Sequence, residues 1–344
     1  MKKSITSLLF LALFLFILTS SFLGLGVNFY TDFLWFENLD FSQTFWTIFK
    51  TKLALRIGVW TLFSLFLFIN LLFTKNKVLN LIDKLKNRSN DEENIIELNP
   101  TNSKKWTKFI TANRINLIYL IISIVIGFLF SNIGANTWQT VLKFLNSTSF
   151  GITDPLFNND ISFYVFKFPF YQLIYQFIST LIVMSGLAVG IIYLLTTQGE
   201  SFLNKVNKND QAKYHLSILI SLFFLLKAWG YRLDMFKLLY SQRGVAFGAS
   251  YTDVHAQLLG LKVLFVIAIL LAIIIFVNIF IKKTKLIIIG IAGLFIASIL
   301  LNTVYPGFVQ QYQVEPNEIA KESKYIRYNI DFTQKAYGLD KIKE

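Results

Sequence analysis

Asp253 and His255 are the residues whose types and spacing come nearest to a site for chemistry. A carboxylate near an imidazole can tune it as a general acid or base. With a single residue between them, the two side chains point the same way in an extended segment but not in a helix. The pair therefore has two interpretations. One is a structural hydrogen bond or helix cap, and the other is proton chemistry or ligand binding.

A second candidate site consists of three cations, Arg56, Lys227 and Lys262, which lie inside apolar runs. Charged residues within membrane spans are functional candidates by default. All three are predicted within about one or two turns of the outer helix ends, where long side chains can reach the lipid headgroups. The alternative is a shared outward-facing cavity that binds an anionic headgroup, phosphate or polymer. Nearby aspartates could equally neutralise the three charges.

Other catalytic signatures are missing from the sequence. It has no cysteine, which excludes disulfides, thiolate zinc sites and CxxC redox chemistry. It also has no P-loop, HExxH, GxSxG or dinucleotide-binding motif. Its two histidines, His215 and His255, are predicted on opposite sides of a membrane and so cannot share a metal ion. We therefore predict no metal and no cofactor, and the sequence does not favour an enzyme.

The elements that hold these residues are strongly apolar. Hydrophobic residues make up 54% of the 344 residues and charged residues 15%, with a mean hydropathy of +0.54. Soluble domains average about 25% charged residues, so an ordinary soluble enzyme is excluded. The 36 phenylalanines exclude a disordered chain. The composition is that of an integral membrane protein. In a membrane protein the net charge of +13 serves to orient the helices, and we predict no nucleic-acid partner.

Seven stretches are long enough to cross a bilayer core, which takes about 20 helical residues. We predict an all-α fold, a polytopic helical membrane bundle of about seven transmembrane helices over residues 1–304. The last two spans are joined by a short basic linker and must form a tight antiparallel hairpin. Small residues of two spans mark places where another helix can approach closely. They are Gly186, Gly190, Gly290, Gly293 and Ala297. The predicted spans are 5–29, 53–73, 115–133, 170–195, 214–231, 258–281 and 286–304.

Lysine and arginine counts orient this bundle. With the N-terminus inside, the inner segments carry 17 of these residues. The predicted outer loops 30–52, 134–167 and 232–257 carry 7. Basic residues concentrate in cytoplasmic loops. We therefore predict that the N-terminus is in the cytoplasm and the C-terminus is outside.

Two amphipathic helices are predicted at the membrane surfaces. In the inner segment 75–88, apolar residues recur at helical spacing between lysines and an arginine. This pattern is typical of a helix that lies on the anionic inner leaflet. A second apolar stripe predicts a helix over about 137–146 in an outer loop. Membrane lipids are the expected partners of both helices.

The loops 134–169 and 232–257 are predicted to fold back on the bundle as one ordered unit, which we term the outer cap. They carry three aspartates, Asp154, Asp160 and Asp253. Buried carboxylates need partners. We expect at least one of the three to pair with a cation or to accept backbone N–H bonds. The available cations on the same predicted face are Arg232, Arg243, Lys227 and Lys262.

The last segment, 305–344, is predicted to be an extracytoplasmic tail and the start of a larger, truncated region. Pro316 can open a helix that carries Ile319, Ile326 and Ile330. Forty residues have little core of their own. The tail is therefore expected to lie against the outer cap with its apolar positions.

Several ordered motifs give the sequence a family resemblance. It resembles a large bacterial family of uncharacterised integral membrane proteins, which typically have about seven amino-terminal spans and a long extracytoplasmic region. The resemblance covers essentially the whole chain and implies the bacterial plasma (inner) membrane, but no catalytic residue. Family members usually continue for several hundred residues more, so the missing region or an envelope protein is a possible partner. The motifs are FLWFENL at 33–39, DPLF at 154–157, DISFY at 160–164, YTDVH at 251–255, VEPNE at 314–318, YI at 325–326, NI at 329–330 and AYGL at 336–339.

These observations leave three functional hypotheses. The leading one is a membrane protein that binds or translocates a lipid or other anionic ligand at the outer face, with Arg56, Lys227 and Lys262 as binding residues. The second is an interfacial membrane enzyme that uses Asp253 and His255 with another outer-loop aspartate. The third is a structural anchor for an extracytoplasmic region.

Overall fold

The computed structural model describes residues 23, 24, 26–91, 111–196, 210–281 and 283–342. The structure is 88% helical. Within these ranges there is no strand, and the β pairing is limited to an isolated bridge between Thr153 and Asp160. The predicted all-α class is confirmed.

Six helices in the described ranges are long and apolar enough to cross a membrane. They contain the last six of the seven predicted spans, whereas the first predicted span, 5–29, lies almost wholly outside the described residues. The helical membrane architecture is thus confirmed for this part of the chain, and the orientation stays a prediction. The six helices are Ser42–Lys84, Ala112–Asn136, Phe163–Thr196, Gln211–Tyr240, Asp253–Ile281 and Lys285–Tyr337.

The predicted orientation can be tested with single cysteines, because the chain contains none. Thr148 and Ser323 are exposed, and both are small polar residues that cysteine replaces with little change in volume. We expect an impermeant thiol reagent to label Thr148→Cys and Ser323→Cys in intact cells, and Asn94→Cys only after permeabilisation. Labelling of Asn94→Cys from outside would overturn the orientation.

The chain divides into two compact units, and the first contains residues 1–60 and 130–138. Its described helices are α1 (26–38), the beginning of α2 (Ser42–Asp91) and the end of α3 (Ala112–Asn136).

An aromatic cluster packs α1 against the start of α2. The ring centroid of Phe29 lies 5.2 Å from that of Phe45 and 5.0 Å from that of Phe49. Phe33 and Phe36 extend the same contact one turn at a time. Residues 30–52 are predicted above to form an outer loop. That interpretation was wrong, because the helical spacing of these rings lets them bury one another.

α2 is an unbroken helix of 50 residues. At 1.5 Å per residue it extends over about 75 Å, far more than the ~30 Å hydrocarbon core. The segment 75–88 is therefore the continuation of a membrane-crossing helix and not a separate short one. Its contact with anionic lipids stays a prediction.

The second unit contains residues 61–129 and 139–344. It includes parts of α2 and α3. Its next helix, α4 (Trp138–Leu145), lies within the predicted range 137–146. The remaining helices are α5 (Phe168–Thr196), α6 (Asp210–Lys237), α7 (Leu258–Ile281), α8 (Thr284–Ile299) and α9 (Glu318–Tyr337).

The core of this unit lies between α6 and α7, with α8 packed on α7. Leu264, Ala268 and Ile275 of α7 are fully buried and belong to one hydrophobic cluster with Met235 of α6 and Leu294 of α8. This arrangement fits the predicted hairpin of the last two spans.

Glycines show where helices touch. An added Cβ at Gly260 of α7 would lie 2.6 Å from the Leu301 carbonyl oxygen, and one at Gly230 of α6 would lie 2.6 Å from the Tyr175 hydroxyl. At Gly186 and Gly190 of α5 it would meet no described atom within 4 Å. Gly293 of α8 gives the same result. Among the described residues, no helix makes the predicted close approach at these three positions, because small residues permit contact without supplying a neighbour.

Four π-helical turns of the described chain interrupt or precede its helices, each of five residues. Such turns are rare, make up well under 1% of residues in globular proteins, and are frequent at functional sites. Two of them precede α5 and α7, and two follow α8. They are Phe163–Lys167, Asp253–Gln257, Leu300–Val304 and Gln310–Val314.

Candidate functional site

Each of the three intramembrane cations has its own surroundings. In the first unit, Arg56 donates a hydrogen bond to Oδ1 of Asn132 at 2.8 Å. In the second unit, the Lys227 ammonium lies 5.0 Å from the centroid of the Tyr231 ring, a cation–π contact. Lys262 is exposed.

The depth of Lys227 differs from the prediction. α6 continues past the predicted end of its span to Lys237, so Lys227 lies about three turns from the helix end, not one or two. Neither Lys227 nor Lys262 lines the cavity described below. A joint site formed by Arg56, Lys227 and Lys262 stays a hypothesis.

Asp154 organises the first turn of the outer cap. It is buried, and its carboxylate accepts the N–H groups of Leu156, Phe157 and Asn159 at 2.9, 2.5 and 2.8 Å. The Tyr164 hydroxyl donates a fourth hydrogen bond at 2.8 Å. With four donors, the carboxylate has its acceptor capacity filled inside the protein. We assign Asp154 to the structure of the turn.

Asp160 closes the same loop from the other side. Its carboxylate accepts hydrogen bonds from the Ser149 hydroxyl and from the N–H groups of Phe150, Gly151 and Ser162. The Ser149 hydroxyl, with Ser162 and the Phe150 N–H, holds the pKa of Asp160 well below its usual range. The prediction that an aspartate of the outer cap accepts backbone N–H bonds is confirmed.

Asp253 forms both a helix cap and a buried ion pair. Its side chain is 1% exposed, and Oδ1 lies 3.2 Å from Nη1 of Arg243. Oδ2 accepts the N–H and the hydroxyl of Ser250 at 3.1 and 2.8 Å, while the Asp253 N–H donates back to the Ser250 hydroxyl at 3.2 Å. This reciprocal pairing is a capping box. The predicted cation pairing is confirmed with Arg243 as the partner.

His255 points away from Asp253. Its Nε2 lies 3.3 Å from the Tyr325 hydroxyl, and its ring centroid lies 4.2 Å from that of Tyr251. Asp253–Gln257 is a π-helical turn, so side chains two positions apart diverge. Within the described ranges no hydrogen bond joins Asp253 to His255. The geometry gives these two residues separate roles and does not assemble an acid–base pair.

Glu322 of α9 is a site residue that sequence reasoning missed. It is 2% exposed, and its two carboxylate oxygens accept the Tyr251 N–H at 3.1 and 3.3 Å. Next to it in sequence, the Lys321 ammonium lies 4.8 Å from the centroid of the Tyr251 ring. α9 is polar overall, so its sequence gives no signal that one of its glutamates is buried.

The tail lies against the outer cap, as predicted, and in part with its apolar positions. Val309 and Val314 are buried in one cluster with Ala256. Polar groups add to the contact, because the Thr252 hydroxyl donates to Oε1 of Gln310 at 2.6 Å. Ile319, in contrast, is 85% exposed, so the helix that follows Pro316 does not bury this residue.

A cavity of about 420 Å³ opens between the outer cap and α9. Small-molecule sites typically measure about 300–1,000 Å³. Its polar lining includes Glu322 and Asn329, and no lysine or arginine of the described ranges lines it. Its aromatic lining consists of Tyr164, Tyr240, Phe247, Tyr325, Tyr328 and Phe332.

Metal-ligating residues are scattered in the described ranges. No three His, Cys, Asp or Glu side chains there lie close enough together to hold a metal ion.

The outward faces of the helices indicate the class of protein. Ile289 and Phe295 of α8 and Phe280 of α7 are 66%, 68% and 76% exposed, whereas a soluble protein rarely leaves such large apolar surfaces open. Together with the six candidate spans, these surfaces define a helical membrane protein. The sequence pattern of the Uncharacterised protein family (UPF0182) matches residues 8–344, and the chain belongs to this family.

Bacterial relatives support this assignment. A UPF0182 protein of Desulforamulus reducens is 41% identical over 327 residues, covering 94% of this chain and 35% of the relative. A UPF0182 protein of Moorella thermoacetica is 38% identical, covering 92% and 34%, and one of Frankia casuarinae is 31% identical, covering 98% and 32%. The chain therefore spans about a third of the length of the curated relatives it matches. No solved structure matches it.

Proposed function

We propose that this protein is a multi-pass protein of the bacterial plasma membrane that binds a lipid in the cavity between the outer cap and α9. The cavity is the observation that carries the proposal. Its size suits the apolar part of an amphipathic molecule, and its walls are aromatic and apolar. A chain embedded in a bilayer meets such molecules at high concentration.

The polar groups of the cavity favour a ligand that donates hydrogen bonds. The Glu322 carboxylate accepts a single N–H among the described residues, which leaves lone pairs for another donor. Asn329 uses its amide nitrogen on Phe247, so its oxygen is an acceptor. A buried carboxylate repels an anionic head. The cavity therefore favours a lipid with a hydroxyl or amine over a phosphate or an anionic polymer.

The other hypotheses have less support in the geometry. An interfacial enzyme that uses Asp253 and His255 needs the two side chains together, and they diverge. A structural anchor needs no cavity, and it is the competing outcome of the test below. On the opposite side of the membrane, we propose that the basic segment 75–88 contacts anionic lipids.

The test is native mass spectrometry of the protein purified in mild detergent, with two matched tryptophan variants. Ala246 lines the cavity, and its neighbour Val245 is 62% exposed and does not. We expect wild type and Val245→Trp to retain one lipid species. Ala246→Trp fills the cavity, so its bound fraction should fall at least tenfold.

Identical lipid retention in the two variants would contradict the proposal. So would a wild-type protein that retains no lipid, and that result would leave the anchor hypothesis as the better one.

A further inference from the structure

A second concave site lies on the same side of the second unit as the outer cap, and its chemistry is different. We term it the polar cleft. It has a volume of about 560 Å³ and is built from Gly307 and six polar residues. The six are Arg243, Asn302, Thr303, Gln310, Gln311 and Glu315.

The backbone of the polar cleft departs from α geometry twice. Leu300–Val304 and Gln310–Val314 are π-helical turns, separated by the single α-helical turn Tyr305–Val309. Asn302 and Thr303 come from the first turn and Gln310 and Gln311 from the second. A π turn adds a residue to the helical circuit. Here it turns these polar side chains to one side of an otherwise apolar helix.

One acceptor of the polar cleft lacks a donor. Nδ2 of Asn302 donates to the Ser298 hydroxyl at 3.2 Å. Its Oδ1 is buried and has no hydrogen-bond partner among the described residues. Buried polar atoms are nearly always paired, so an unpaired acceptor on a residue that lines a cleft points to a ligand that supplies the donor.

Donors lie in the same cleft. Oε1 of Gln310 accepts the Thr252 hydroxyl at 2.6 Å, which fixes the amide and leaves its NH₂ group as a donor. The Arg243 guanidinium is 32% exposed and pairs through one nitrogen with the buried Asp253. Its remaining N–H groups can donate to a ligand.

The polar cleft has no net positive charge. Asp253 compensates Arg243, and Glu315 adds a negative charge, so nothing in the cleft selects a phosphate or another anion. Alternating donors and acceptors without net positive charge match vicinal hydroxyl groups, since each hydroxyl both donates and accepts. We infer that the polar cleft binds a neutral saccharide. The Asn302 amide turns toward the cleft to accept one hydroxyl, and other hydroxyls accept from Gln310 and Arg243.

Gly307 allows a selective test. It lies between the two π turns, and a Cβ added there would meet no described atom within 4 Å. Gly307→Leu therefore places a side chain in the polar cleft without a clash, and it replaces the poorest helix former except proline. Gly307→Ala is the matched control, because it makes the same backbone change with a small side chain.

The experiment is saturation-transfer NMR with maltose and cellobiose. The protein is purified in a polyoxyethylene detergent, because sugar-based detergents would compete. We expect transfer to at least one disaccharide in wild type and Gly307→Ala, and at least tenfold weaker binding in Gly307→Leu. Asn302→Leu should also lose about tenfold, which corresponds to about 1.4 kcal/mol. It tests the same contact if Gly307→Leu proves unstable.

A second arm separates the sources of such a saccharide. The same variants are tested in nanodiscs that contain a neutral glucosyl-diacylglycerol. Binding of this lipid without binding of the free disaccharides identifies a glycolipid head, and binding of the disaccharides identifies a free sugar or polysaccharide.

The inference is overturned if neither probe binds, if Gly307→Leu and Asn302→Leu both bind like wild type, or if inorganic phosphate displaces the saccharide. None of these results depends on lipid retention in the cavity of the outer cap, so the two proposals fail separately.

Discussion

Asp253→Ala should destabilise the second unit by about 2–3 kcal/mol and release the tail from the outer cap. The change leaves Arg243 without its carboxylate and removes the acceptor of the buried Ser250 N–H. Removing one partner of a fully buried ion pair costs about 3–5 kcal/mol, and a lost buried acceptor costs about 1–3 kcal/mol. Because Arg243 is 32% exposed, water recovers part of this cost.

The measurement is denaturant titration in mild detergent, combined with hydrogen exchange. Faster exchange is expected over residues 250–257 and also over residues 318–330, because Glu322 and Asn329 are bonded to the same cap. Asp253→Asn retains the shape and one oxygen, so it should lose less stability than the alanine variant. This difference separates the cap hydrogen bonds from the charge.

The chain offers a matched control in the ion pair of Asp234 and Lys237. It has the same chemistry and a shorter distance, 2.7 Å, but its side chains are 35% and 53% exposed. Exposed pairs contribute about 0–1 kcal/mol, so Asp234→Ala should change stability by less than about 0.5 kcal/mol. Equal losses of stability in Asp234→Ala and Asp253→Ala would show that the interactions of Asp253 do not stabilise the outer cap.

The sequence predicted the features that depend on residues close together in the chain. A run of about 20 apolar residues predicts a span because lipid offers no partner to an open backbone. For the same reason the predicted span 258–281 coincides with α7. The pairing of the outer-cap aspartates could be predicted because buried carboxylates need partners and cations lie on the same predicted face.

The sequence was less informative wherever long-range packing decides. The capping box of Ser250 and Asp253 was readable as S-x-x-D, but its ion pair required Arg243 to approach in space. Glu322 became buried because a backbone N–H some 70 residues away in sequence needed an acceptor. The π turns of the polar cleft depend on tertiary contacts, and no residue pattern predicts them.

The aromatic helix α1 shows a different limit. Residues 30–52 were interpreted as a loop because they lie between the first two predicted spans. The rings of Phe29, Phe33 and Phe45 nevertheless pack at centroid distances of 5.0 to 5.4 Å from their neighbours. The end of a long apolar run is therefore a poor guide to the end of a helix in a chain with 36 phenylalanines.

The second large effect on stability is expected from substitutions of glycine. Glycine is required for packing at one position of the hairpin and not at another. At Gly260, an added Cβ would lie 2.6 Å from the carbonyl oxygen and 3.2 Å from the Cβ of Leu301. Both are atoms of the π turn that follows α8 and cannot rotate away. At Gly293 of the same hairpin, an added Cβ would meet no described atom within 4 Å.

Gly260→Ala should therefore destabilise the second unit even though alanine is the better helix former. The gain in helix propensity is at most about 1 kcal/mol, while forcing α7 away from the π turn costs about 1–3 kcal/mol or more. We expect a net loss of about 1–2 kcal/mol, and a larger loss for Gly260→Val. Gly293→Ala receives the propensity gain without the clash, so it should leave stability unchanged or raised.

The comparison of these variants tests the packing of the hairpin directly. Thermal unfolding in detergent gives the order of stability, which should be Gly293→Ala at or above wild type, then Gly260→Ala, then Gly260→Val. A substitution at Gly260 that displaces the π turn should also change the shape of the polar cleft, because Asn302 and Thr303 follow Leu301 in that turn. A Gly260→Ala protein as stable as Gly293→Ala would mean that α7 and the turn at Leu301 are not in contact, and the geometry of the polar cleft would have to be revised with them.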